Sequence, residues 1–145
     1  MLMATAKKSG AAKRGFLGAF IISCVVVAVV GWILWKGQRP VEASIASGVL
    51  AVRASGYDAH VALVSIRSAS LVDTLPAISE KVNGYAFGGK LRGRFRLDEL
   101  GDAMLFVDMN TPPFIVIRAE SGTVVVNLES PDATRKLHAE LTSSR

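Results

Sequence analysis

Apolar and polar positions fall into three regimes along this chain. The first is an unbroken apolar run from Phe16 to Trp35, FLGAFIISCVVVAVVGWILW, 20 residues without a charge. As a helix rising about 1.5 Å per residue it measures about 30 Å, the thickness of a bilayer's hydrocarbon layer. Gly37 and Pro40 then break the helix and open a short linker over 36–44. In the second regime the period drops to two. Gly48–Arg53, Ala59–Val64, Arg67–Leu75, Lys90–Leu97, Ala103–Val107, Phe114–Arg118 and Thr123–Asn127 are runs of strand length. Turn residues punctuate them: Ala54-Ser55-Gly56-Tyr57, Pro76, and Ala119-Glu120-Ser121-Gly122. Ala77–Gly89, with Asn83-Gly84 and Gly88-Gly89, reads as a looser connection. Seven short strands in so small a span predict an antiparallel sandwich or barrel.

The third regime returns to a helical period. Ser130 is an N-cap, Pro131 occupies the first helical position, and Asp132 lies where the helix dipole favours an anion. Ala133, Leu137 and Leu141 then share one face, predicting a helix over 131–142 that covers an open end of the barrel. The predicted organisation is a basic tail (1–15), a membrane-crossing helix (16–35), a linker (36–44) and a mainly-β domain (45–145).

Charge sharpens this picture. The formal net charge is +5, but six of the 17 Lys and Arg residues (Lys7, Lys8, Lys13, Arg14, Lys36, Arg39) flank the apolar run, and no acid precedes Glu42. From Val41 onward 11 basic residues face 12 acidic ones. The basicity is therefore a topology signal and no footprint for nucleic acid. Lys13, Arg14, Trp32, Trp35, Lys36 and Arg39 are the expected membrane-interface anchors. The four basic residues ahead of the helix outnumber the two behind it. That places the N-terminus in the cytoplasm and the domain outside, in a single-pass protein.

Processed forms fit less well. The apolar core is too long for a cleaved secretory signal. Ile21-Ile22-Ser23-Cys24 matches a lipobox, yet eleven apolar residues follow Cys24; a thiol among helix side chains is the plainer reading. Lys13-Arg14-Gly15-Phe16 resembles a type IV prepilin cleavage point, but Phe20 stands where such pilins carry Glu. A pilin-like or other structural subunit of an envelope assembly is the alternative this leaves. Gly15, Ala19 and Ser23 recur every four residues, a stripe that permits a helix-mediated homodimer.

Several strings in the β region carry a family resemblance: Leu75-Pro76, Gly84-Tyr85, Gly93-Arg94-Phe95-Arg96-Leu97, Met104-Leu105-Phe106-Val107, the hairpin at Gly122, and Asn127-Leu128-Glu129-Ser130-Pro131-Asp132. Over about 45–142 the chain resembles the bacterial pleckstrin-homology-like domains of small membrane proteins. The resemblance implies a seven-stranded, strongly bent antiparallel barrel capped by a C-terminal helix. It implies a binding or scaffolding module with no common reaction or ligand.

Candidate chemistry concentrates in Lys90–Leu97. In a strand, Lys90, Arg92, Arg94 and Arg96 point one way and Leu91, Gly93, Phe95 and Leu97 the other. Four cations about 7 Å apart would grip phosphates, headgroups or an acidic partner. Equally, they would form an ordinary solvated face balanced by Asp98, Glu99 and Asp102, or by Asp58, Asp73 or Glu80 across the sheet. His60 and His138 stand alone in sequence without a cysteine in the domain, which argues against zinc. His138 is expected on the exposed side of the last helix. No P-loop, G-x-S-x-G elbow or H-E-x-x-H pair occurs, so no catalytic or cofactor-binding residue is assigned. Gly84, Gly88 and Gly89 read as bends or bulges, and Met109–Pro113 as a turn. The expected partners are the membrane and a protein, or the membrane surface itself, bound without catalysis.

Overall fold

The computed structural model describes residues 9–144, with side chains from Arg14 onward. The predicted basic tail lies in part outside the described residues, as do the side chains of Lys7, Lys8 and Lys13. The chain divides after Lys36 into two compact units.

The first unit is the helix α1, Ser9–Gly37, longer than the apolar run because polar residues ahead of Phe16 continue the same turns. Its stretch Arg14–Gly37, 24 residues, is long and apolar enough to cross a membrane. Phe16, Phe20, Ile22, Val27 and Trp35 all stand exposed along it.

The second unit is mainly β and holds nine strands in two sheets. Strands β1 (Glu42–Ala46), β2 (Val49–Ala54) and β3 (Tyr57–Ala62) form an antiparallel meander. Each of its two-residue turns is a Ser-Gly pair, Ser47-Gly48 and Ser55-Gly56, with both residues at positive φ. That geometry matches the right-handed twist of the flanking strands and makes glycine the natural second residue. After a short 3-10 turn come β4 (Ile66–Val72), β5 (Ile78–Phe87), β6 (Lys90–Leu97), β7 (Gly101–Asp108), β8 (Phe114–Ala119) and β9 (Gly122–Val126). They form one six-stranded sheet in the order β4-β8-β9-β7-β6-β5, antiparallel except where β9 runs parallel to β7.

The centre of the six-stranded sheet is buried on both faces, which is why β7, β8 and β9 read as largely continuous apolar runs. One face presents Phe106, Ile115, Ile117, Val124 and Val126 to Leu50, Val52 and Val61 of the meander and to Leu137 and Leu141 of α2 (Pro131–Ser143). The other gathers Phe95, Leu97, Leu105, Phe114, Val116 and Val125, flanked by Val72, Leu75 and Leu100. Fully burying one such side chain contributes about 2 kcal/mol. Helix α2 starts where the sequence sets it: Ser130 Oγ accepts from Ala133 N at 3.1 Å, and Pro131 opens the first turn.

Three expectations change. The strand number is nine, because β1 occupies part of the expected linker and β5 the expected loose connection. Most of β5 is exposed at the sheet edge, so it has no buried face to print an alternation on the sequence. A closed barrel is not formed among the described residues: β4 and β5 are the two unpaired edges of the large sheet, and the meander is a separate sheet.

Candidate functional site

The basic row of β6 lies on one face of the strand, as its period requires, but its four members meet different surroundings. Lys90 Nζ donates to Asp108 Oδ2 at 2.8 Å, both side chains half-buried. Arg96 bridges two acids, Asp102 at 2.7 Å and Glu80 at 3.0 Å, in an exposed network. The Arg96 guanidinium holds the Asp102 carboxyl below the usual carboxylate range through that hydrogen bond. Arg94 is exposed and, among the described residues, has no acid within ion-pair distance, although its charge also helps lower the Asp102 carboxyl.

Arg92 differs most from a solvated cation. It is 1 % exposed, opposite Phe106 on β7 and Tyr85 on β5. Its Nη1 donates to the carbonyls of Leu91 and Val107, and its Nε is buried without a partner. Burial pushes the guanidinium down from its ordinary value, and the nearby Asp108 and Tyr85 oppose that shift. The Tyr85 hydroxyl is likewise buried without a partner. The strands approach closely here. A Cβ on Gly93, at φ +112°, would lie 2.5 Å from Asn83 O and 2.7 Å from Gly84 Cα.

Arg92 lines a recess of about 100 Å³ together with Gln38, Pro40, Lys90, Asp108 and Glu129. Its walls are held by Asn127, 1 % exposed at the end of β9. Asn127 Oδ1 accepts from Asp108 N at 2.8 Å, while Nδ2 donates to Asp108 O at 2.9 Å and Thr111 O at 2.7 Å. Asp108 is thereby fixed, and both its carboxylate oxygens are engaged: Oδ2 by Lys90 and Oδ1 by Asn110 N at 2.9 Å. Burial pushes the Asp108 carboxyl up, but these hydrogen bonds outweigh it and leave the group below the ordinary carboxylate range. Buried Thr134 completes the frame: its Oγ1 accepts from Leu128 N at 2.9 Å and donates to Ser130 O at 3.1 Å. Sequence reasoning missed Asn127 and Thr134. The available signal was a polar residue ending an apolar strand just ahead of a helix cap.

The remaining candidates are separate. His60 sits in a hollow of about 200 Å³ across the outer face of the meander with Glu42, Ser44 and Arg53, its Nδ1 3.5 Å from Asp58. His138 is half-buried, and its Nε2 lies 3.1 Å from Ala69 O, so it docks α2 on β4 and does not face solvent as expected. Among the described residues no three His, Cys, Asp or Glu side chains converge as a metal site. Of the interface anchors, Lys36 Nζ lies 4.4 Å above the Trp32 ring, and Arg14, Trp35 and Arg39 are exposed. Gly15, Ala19, Ser23 and Cys24 are exposed on α1. No protein-family model matches the chain, and no curated protein or solved structure matches it either.

Proposed function

We propose that this chain is a membrane-anchored, non-catalytic binding module. In this reading α1 crosses a bacterial inner membrane with its N-terminus in the cytoplasm, and a pleckstrin-homology-like β domain outside contacts a protein partner or the membrane surface. The observation that carries the reading is the pairing of one apolar helix with a β domain whose cations are sorted. Lys90 and Arg96 are held in close ion pairs, Arg94 projects into solvent without one, and Arg92 lines a recess from within. A scaffold that keeps one cation outward and one inward can hold a ligand without a nucleophile or base. The antiparallel strands and the closing amphipathic helix support the family likeness; the parallel β7–β9 pair and the open edges depart from a simple closed barrel.

A photoreactive residue placed at Arg94 in the full-length chain, in intact cells, tests the binding claim. A discrete crosslinked species is expected. Adducts no different from those at another exposed position outside β6, such as Val64, would remove it.

A further inference from the structure

We propose that the recess beside Arg92 binds an oxyanion, a phosphate or carboxylate group held side-on by Arg92 Nε and Nη2. This rests on reading the domain as a binding module and names the chemistry of its ligand. A guanidinium this buried has lost its hydration, a cost of several kcal/mol unless an anion or a full set of acceptors replaces the water. Only Nη1 has acceptors here, the carbonyls of Leu91 and Val107. Among the described residues no carboxylate lies within ion-pair distance of Arg92: Asp108, on the recess wall, attracts it from farther off and directs its oxygens to Lys90 and Asn110 N. Nε, buried without a partner, and Nη2, which has no acceptor among the described residues, share one edge of the guanidinium, the planar fork that takes two oxygens of one carboxylate or phosphate.

Size and charge narrow the ligand. The recess, about 100 Å³ and open to solvent, has room for several water molecules and so for one acidic group, with the rest of its molecule outside. Lys90 and Asp108 neutralise each other on the wall, so the guanidinium of Arg92 is the cation left to the ligand, and Glu129, exposed on the rim, opposes an anion. Gln38, which also lines the recess, is the next residue in the chain after α1 ends at Gly37. The same oxyanion chemistry is therefore available from a soluble ion or from the headgroup of an anionic lipid.

The test uses the full-length chain in phosphatidylcholine nanodiscs, reading the Arg92 Nε–H resonance and the thermal midpoint. Inorganic phosphate or acetate is expected to move the resonance saturably and raise the midpoint, with chloride at equal ionic strength doing neither. If phosphatidylglycerol in the disc moves the same resonance and removes the response to phosphate, the oxyanion is a lipid headgroup; if only the soluble ions act, it is a free anion. Glu129→Gln should tighten phosphate binding about threefold by removing a repelling charge. Arg92→Lys, which keeps the charge but not the fork, should weaken it about tenfold. The proposal is overturned if neither soluble anion nor lipid moves the resonance, water then being the sole occupant. It is equally overturned if Glu129→Gln lowers the midpoint without tightening binding, which would make Glu129 the internal counter-ion. Neither result touches the crosslinking test at Arg94, which uses no anion.

Discussion

Asn127 has more riding on it than any charged residue in the domain. It joins the β7–β8 turn to the β9–α2 connection through Asp108 N, Asp108 O and Thr111 O, all within 3 Å and away from bulk water. Replacing it by Leu, similar in size but without polar atoms, removes all three bonds and leaves Asp108 N and Thr111 O without that partner, while Asp108 O keeps Thr111 N at 3.1 Å. The expected loss is about 3 kcal/mol in denaturant unfolding of the full chain, and a loss under about 1 kcal/mol would contradict the role assigned here. Asp108 gives a second check through pH. Its folded pKa is depressed, so its stabilisation is complete above the unfolded value near 4 and is lost as pH falls through the folded value. The midpoint difference between the natural chain and Asp108→Asn should be largest at neutral pH and shrink toward pH 3. A difference independent of pH would show that the carboxylate charge contributes nothing.

At the scale of elements, legibility followed burial. Strand β6 was readable at both ends because Leu91, Phe95 and Leu97 alternate with cations. Helix α2 was readable because Ser130, Pro131 and the Leu137/Leu141 stripe agree with one another. Strand β5 was not: an exposed edge carries no period, and its glycines and Asn83 look like a loop until the partner strand is known. Even within β6 the period gave the face but not the cover. Nothing local distinguishes Arg92, which shares a recess with the distant Gln38, Pro40, Val41 and Asn127, from Arg94 two positions on. The close β5–β6 approach makes a further prediction. Gly93→Ala would strain a backbone at φ +112° and push its Cβ against Asn83 O and Gly84. We expect about 2 kcal/mol of destabilisation and a loosened Arg92, seen as faster exchange of its Nε–H proton; unchanged stability would mean that the two strands separate freely.

For the molecule as a whole, the apolar run was the most legible feature and the β topology the least. A parallel β7–β9 pair inside an otherwise antiparallel sheet arises from long-range pairing, which no short window of sequence records. The mature N-terminus separates the anchored-module reading from the pilin-like alternative. Mass spectrometry of the protein from its native cells should find the chain uncleaved ahead of Phe16, and a chain starting at Phe16 would favour the assembly subunit.

The central claim is that α1 holds the β domain at a bilayer by the transfer of its apolar side chains from water into lipid. Alkaline carbonate extraction of membranes from cells making the full-length chain tests this most directly. The protein should stay in the pellet and leave it only with detergent; intact, uncleaved chain in the carbonate supernatant would contradict the account.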